Sequence, residues 1–181
     1  MVSIKSMQLN KKTFDVDPAL KISFLISCGL AILAFFIGTQ LTGLFQLNDQ
    51  TVTMSVIEIF CHNALISFIL ILSVFSYGLI ALLLIASNFL IFGMQLTAMV
   101  TKVGSWHMTE KIFWHALFEL PAIMIAASFG FYLFVSQLVL SQKFNRNKFC
   151  CLMTRLTSLV LALDLIASIV EVYVSNGIGE P

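Results

Sequence analysis

The sequence predicts an all-α fold: a polytopic membrane helical bundle of about five transmembrane helices, with a short re-entrant or interfacial helix before the fourth. Three observations carry this. Of 181 residues, 59% are hydrophobic and 10% charged, against roughly 25% charged in an ordinary soluble domain. From Asn63 to Val100 no charged side chain occurs. As one helix that stretch would run about 57 Å, nearly twice the roughly 30 Å hydrocarbon core of a bilayer, so two spans joined by a tight turn at Tyr77-Gly78 are expected. Lastly, spans drawn in this way sort the basic residues to one side of the membrane.

Residues 1–21 form a polar leader carrying Lys5, Lys11, Lys12 and Lys21. Its apolar residues are sparse, enough for no more than a short interfacial helix. Residues 22–181 form a single transmembrane domain. Its first span, Ile22–Phe45, is longer than a signal-peptide apolar core and lacks a clear small-residue cleavage site, so it reads as an uncleaved signal anchor. The charge-free stretch supplies Ile59–Phe75 and Leu79–Val100. The fourth span is Pro121–Leu140, in which Ala122, Ala126 and Gly130 repeat every four residues. Such a ridge of small side chains lets another helix approach closely. Gly93 is a second packing residue. The last span is Leu156–Val174.

With the N-terminus inside and the C-terminus outside, the leader, the Tyr77-Gly78 turn and the loop Ser141–Arg155 face the cytoplasm. That side holds Lys5, Lys11, Lys12, Lys21, Lys143, Arg146, Lys148 and Arg155; the outer side holds only Lys102 and Lys111. This is the bias of the positive-inside rule. It would vanish if Asn63–Val100 were a single span. Trp106, Trp114 and Tyr173 fall at the outer interface and Tyr77 at the inner one, where amphipathic rings prefer to sit.

Ionisable groups within spans are costly, roughly 2.5–3.5 kcal/mol at the bilayer centre on insertion scales. Two acid–imidazole pairs stand four residues apart, Glu58 with His62 and His115 with Glu119, each on one helix face near the outer leaflet. Asn63 adjoins the first and Asn88 lies in the third span. Pro121 lacks an N–H and clashes with the carbonyl four residues back, so it kinks a helix running from Lys111 or starts a new one. As a first-turn proline it would set Glu119 beside a helix N-terminus, with Ile112–Leu120 as the interfacial helix. Asp164 sits mid-way along the last span, sharing a face with Glu171. It has no basic partner in any span, which leaves a protonated acid, Asn88, a hydroxyl or another subunit to satisfy it. Three readings of the cluster stand open: polar residues that satisfy one another and fix helix packing, a proton or ion path, and a site for zinc built from two His and two Glu. The last is the weakest, because the His-x-x-x-Glu spacing on separate helices fixes no geometry, and no metal is expected.

No nucleophile motif, phosphate-cradling glycine loop or nucleotide fingerprint occurs. The expectation is therefore a non-enzyme without cofactor, needing a separate ATPase for any ATP-driven work. Near-zero net charge predicts no nucleic-acid partner. Cys28, Cys61, Cys150 and Cys151 show no metal-ligand or redox spacing. Cys28 reads as a small hydrophobe. The adjacent Cys150-Cys151 suits lipidation or, more simply, packing at a membrane edge.

From Glu58 to Leu140 the chain resembles the stage II sporulation protein M family of bacterial membrane proteins. The resemblance is carried by Phe60-Cys61-His62-Asn63, by Asn88 with Gly93, and above all by His115-Ala116-Leu117-Phe118-Glu119-Leu120-Pro121-Ala122. The family commonly has glycine where Ala116 and Phe89 stand here. The resemblance implies a multi-span protein of the cell membrane without known catalysis, acting as a partner of other proteins. The sporulation member works with peptidoglycan-degrading enzymes, and shorter relatives occur with ABC-type ATPases in clusters making circular bacteriocins. The short chain and small outer loops favour the second setting: export, maturation or immunity for a hydrophobic peptide. An anchor for wall hydrolases and a proton- or ion-coupled carrier are the alternatives.

Overall fold

The computed structural model describes residues 16–41, 55–103 and 105–177, without the side chains of residues 102–115 and 174–177. Five long helices follow in order: α1 (Pro18–Gln40), α2 (Val56–Leu72), α3 (Leu79–Val103), α4 (Ser105–Gly130) and α5 (Arg146–Gly177). No strand occurs among the described residues. Helices α1, α3 and α5, and α2 together with the helical turn that carries it to Ser76, are each long and apolar enough to cross a bilayer, and α4 adds a shorter apolar stretch, Ala116–Gly130. The helical membrane bundle is thus the fold of this chain.

Local chemistry sets the helix ends. The Asp17 carboxylate caps α1, accepting from the Ala19 N–H at 3.0 Å, and Pro18 takes the first-turn position where its missing N–H costs nothing. Helix α2 opens on a reciprocal capping box: the Ser55 hydroxyl accepts from Glu58 N–H while the Glu58 carboxylate accepts from Ser55 N–H at 2.8 Å. A turn of 3-10 helix, Ser73–Ser76, closes α2, and the chain reverses at Tyr77 (φ 53°) and Gly78 (φ 85°). The expected turn lies there. Gly78 is needed both for its left-handed backbone and because a Cβ would overlap the Phe131 ring.

Helix pairing does not follow chain order. Although a two-residue turn joins them, α2 and α3 touch each other little; α3 packs mainly on α1, and α5 on α4 and α2. The α1/α3 contact is built on glycine. A Cβ at Gly38 would strike the Leu90 carbonyl, and one at Gly93 the Phe35 carbonyl, so each helix seats its backbone against the other's. The α1 face that packs inward is a stripe of small residues, Ala19, Ser23, Ser27, Ala31, Ala34 and Gly38, all buried. On α4 the expected ridge is also buried: Ala122 and Ala126 are fully covered, and Gly130 lies against the Leu70 carbonyl of α2 and the Ser73 hydroxyl of the turn that follows it.

Helices α1 and α2 start four and three residues before the expected Ile22 and Ile59, and three larger differences from the sequence expectation lie further along the chain. Helix α4 passes through Pro121 without a break, so the segment before it is continuous with the fourth apolar stretch rather than a separate short helix. A proline removes one hydrogen bond, and the packed neighbours of Ala122 and Ala126 hold the helix across that gap. The break falls instead after Gly130, followed by a wide turn of π-helix, Phe134–Val139. Helix α5 starts at Arg146, ten residues before the expected Leu156, because Asn145 caps it through Lys148 N–H (3.1 Å). The expected basic loop is therefore mostly helix, with Arg146, Lys148, Cys150, Cys151 and Arg155 exposed on it. The leader up to residue 15, the end of the expected first span beyond residue 41, and the side chains of Trp106, Trp114 and His115 lie outside the described residues.

Candidate functional site

One end of the bundle is held by a charged and aromatic knot. Asp17 accepts from the Tyr132 hydroxyl (2.8 Å) and from Lys148 Nζ (2.8 Å), tying the start of α1 to the end of α4 and the start of α5. Burial alone would raise the Asp17 pKa, but the bonds from Lys148, Tyr132 and the Ala19 N–H outweigh it and hold the carboxyl below its ordinary 3.8. Phe129, Tyr132 and Phe144 gather around Phe149, which also meets Phe75 edge-on. The Tyr77 hydroxyl donates to the Gln137 side chain at 3.3 Å. The beginning of α1, the Tyr77-Gly78 turn and the α4–α5 connection, expected on one side of the membrane, thus meet at one end.

The polar residues predicted within the spans occupy the other half, and they separate into two groups. The first lines a cavity of about 290 Å³ between α2, α3 and α4, where His62, Asn88 and Glu119 meet Gln95 among apolar walls that include Phe89 and Phe92. Three of the expected residues are therefore brought together, and Gln95 joins them. Its signal in the sequence was a polar side chain two turns after Asn88, on the same helix face. Phe89 and Ala116 both line this cavity.

The second group lies between α2 and α5. Asn63 and Ser67 on α2 and Asp164 and Ser168 on α5 are all buried, and each pair is one helical turn apart. Phe75, beyond the end of α2, meets Phe149 near the start of α5, so the two helices are antiparallel and the polar pairs run alongside one another. Ser67 is the hydroxyl acting on the Asp164 carboxylate and Glu119 the acidic group. Ser67 is thus beside the Asp164 carboxylate, but the pair is not in full hydrogen-bond geometry, and neither Asp164 oxygen, nor the Ser67 hydroxyl, nor the Asn63 amide nitrogen has a well-formed hydrogen bond. Ser67 was not singled out from sequence, although it stands four residues after Asn63.

Two expected residues go elsewhere. Glu58 bonds Ser55 at the α2 start and not His62, since the capping box is local and completes two backbone donors at once. Pro121 is exposed on α4. Among the described residues, no three His, Cys, Asp or Glu side chains converge as metal ligands. The arrangement can hold a small polar or charged group within the apolar bundle.

Fold and site together define a multi-pass α-helical membrane protein with a buried polar half. The sequence profile of the family described as stage II sporulation protein M matches residues 22–176, and the chain belongs to that family. Comparison with the curated proteins and with the solved structures gives no match.

Proposed function

We propose that this chain is a non-catalytic subunit of the bacterial cell membrane, with its N-terminus inside and C-terminus outside. It works with an ATPase partner in secretion, maturation or immunity for a hydrophobic, membrane-active peptide. The observation that carries the reading is the shared end of the bundle. There Lys143, Arg146 and Lys148 stand exposed beside Phe144, next to the Asp17 knot and the helical reversal at Tyr77. A rigid platform of exposed cations and an aromatic side chain suits docking of an acidic cytoplasmic protein surface. Nearly all of the matched segment is membrane helix, which leaves chemistry and nucleotide hydrolysis to a partner.

The test is photocrosslinking from Asn147 in the producing cell, with deletion of the chain in parallel. A nucleotide-binding protein crosslinked at Asn147 and lost peptide export or resistance on deletion are the expected results. No such partner and unchanged peptide production overturn the proposal. Capture of wall hydrolases from the opposite end favours the anchoring role instead.

A further inference from the structure

The serines of this bundle supply the clue. Buried Ser23, Ser27, Ser73, Ser128, Ser136 and Ser168 each donate to a carbonyl of their own helix three or four residues back, the usual way a helix absorbs a hydroxyl in an apolar setting. Ser67 alone among the described buried serines does not. It faces Asp164, which is fully buried and has two oxygens without a partner, and the Asn63 amide one turn away has an unpartnered nitrogen. Buried polar groups are normally hydrogen-bonded, and a buried carboxylate needs compensating charge. The described cationic side chains, Lys21, Lys143, Arg146, Lys148 and Arg155, all lie toward the opposite end.

We propose that Asp164, Ser67 and Asn63 form a binding site for a sodium ion between α2 and α5. The two Asp164 oxygens, the Ser67 hydroxyl and the Asn63 side-chain oxygen, turned inward by rotation of its amide, are the hard ligands such an ion takes. Water completes its shell. One carboxylate and two neutral oxygens match a single positive charge. Glu119 connects the site to the polar cavity: it acts on Asp164 and lines the cavity with His62 and Asn88. In the other direction lie Leu70, Val74, Phe129 and Val160, all fully buried. The site therefore adjoins the cavity on one side and fully buried apolar core on the other, a setting for holding an ion rather than conducting it. The inference is independent of the identity of the transported peptide.

The experiment measures thermal unfolding of the purified full chain in detergent, titrated with NaCl against KCl and N-methylglucamine chloride at constant ionic strength and several pH values. A ligand of the folded state alone raises the midpoint in a saturable way. The expected result is a saturable rise with Na+ only, absent in Asp164→Asn and shifted at least tenfold to higher Na+ in Ser67→Ala. Equal responses to all three salts, or a Na+ response unchanged in Asp164→Asn, overturn the site. A midpoint that follows pH and ignores Na+ also overturns it, assigning a proton to Asp164. If Asp164→Asn does not fold, Ser67→Ala and Asn63→Ala decide the matter, and an unchanged Na+ response in both overturns the site.

Discussion

The α1/α3 contact and the α2/α5 contact are both buried helix pairs in the same bundle, yet they are made on opposite principles. At α1/α3 the chain removes side chains. Gly38 and Gly93 lie against the Leu90 and Phe35 carbonyls, and elsewhere on the same α1 stripe Ser23 and Ser27 return their hydroxyls to their own helix. At α2/α5 it inserts polar side chains that the protein alone does not satisfy, Asn63, Ser67 and Asp164. In a bilayer, apolar side chains gain little by leaving lipid for protein, so helices associate through close packing or through polar contacts. The first device holds the bundle together and does nothing else. The second carries a cost in insertion, which the proposed ion would offset.

Substitutions can break this distinction. The largest effect is expected from Gly93→Leu, where a side chain has to displace the α1 backbone; a loss of about 3 kcal/mol follows from overpacking. Reversible unfolding in micelles measures it, and wild-type stability in that variant would mean that glycine contact does not hold the pair. In Na+-free buffer, Asp164→Asn should do the reverse and raise stability by about 2 kcal/mol, because an amide is cheaper to bury than an unpaired carboxylate. A comparable loss of stability would show that the protein itself satisfies Asp164.

The Asp17 knot lies between these extremes. Lys148 is half exposed, which screens the pair, so Asp17→Asn is expected to cost about 1 kcal/mol. The carboxyl is held below its ordinary 3.8 when folded. Its contribution is therefore complete above about pH 3.8 and lost as pH falls through the lower folded value. An acid titration of stability should show this limb in the wild type and not in the variant. The smallest effect belongs to Ser27→Ala, within about 0.5 kcal/mol, since a back-bonded hydroxyl in a small-residue stripe contributes mostly shape. A larger loss on unfolding would mean that the α1 stripe is polar in function as well.

Much of this was legible in the chain. The absence of charge from Asn63 to Val100 forced a reversal, and Tyr77-Gly78 supplied the left-handed residues for it. The ridge Ala122, Ala126, Gly130 announced a buried face, and it is one. The α1 stripe has the same four-residue spacing of small residues and could have been read in the same way. The candidate site was legible only in part. His62, Asn88 and Glu119 share a cavity, as charged and amide residues in neighbouring spans suggest. Spacing misassigned Glu58, because a four-residue interval to His62 is compatible with a pair but the Ser55 backbone competes for the same carboxylate and is closer along the chain. Ser67 escaped notice because a serine in a span is ordinarily absorbed by its own helix.

Length, charge distribution and turn chemistry by themselves determined that this is a membrane bundle, that the charge-free stretch reverses at Tyr77-Gly78, and that this turn shares an end with the start of α1 and the α4–α5 connection. These follow from bilayer thickness and from the cost of moving charge into it, both readable along one dimension. Which helices embrace was decided only in three dimensions: α3 packs against α1 rather than α2, and Asp164 lies beside Ser67 of α2. In water the apolar stripe of a helix names its buried face. In lipid the outward face is just as apolar, as exposed Leu25, Phe36, Leu83 and Leu138 show, so the pattern that would assign partners is absent and backbone fit decides.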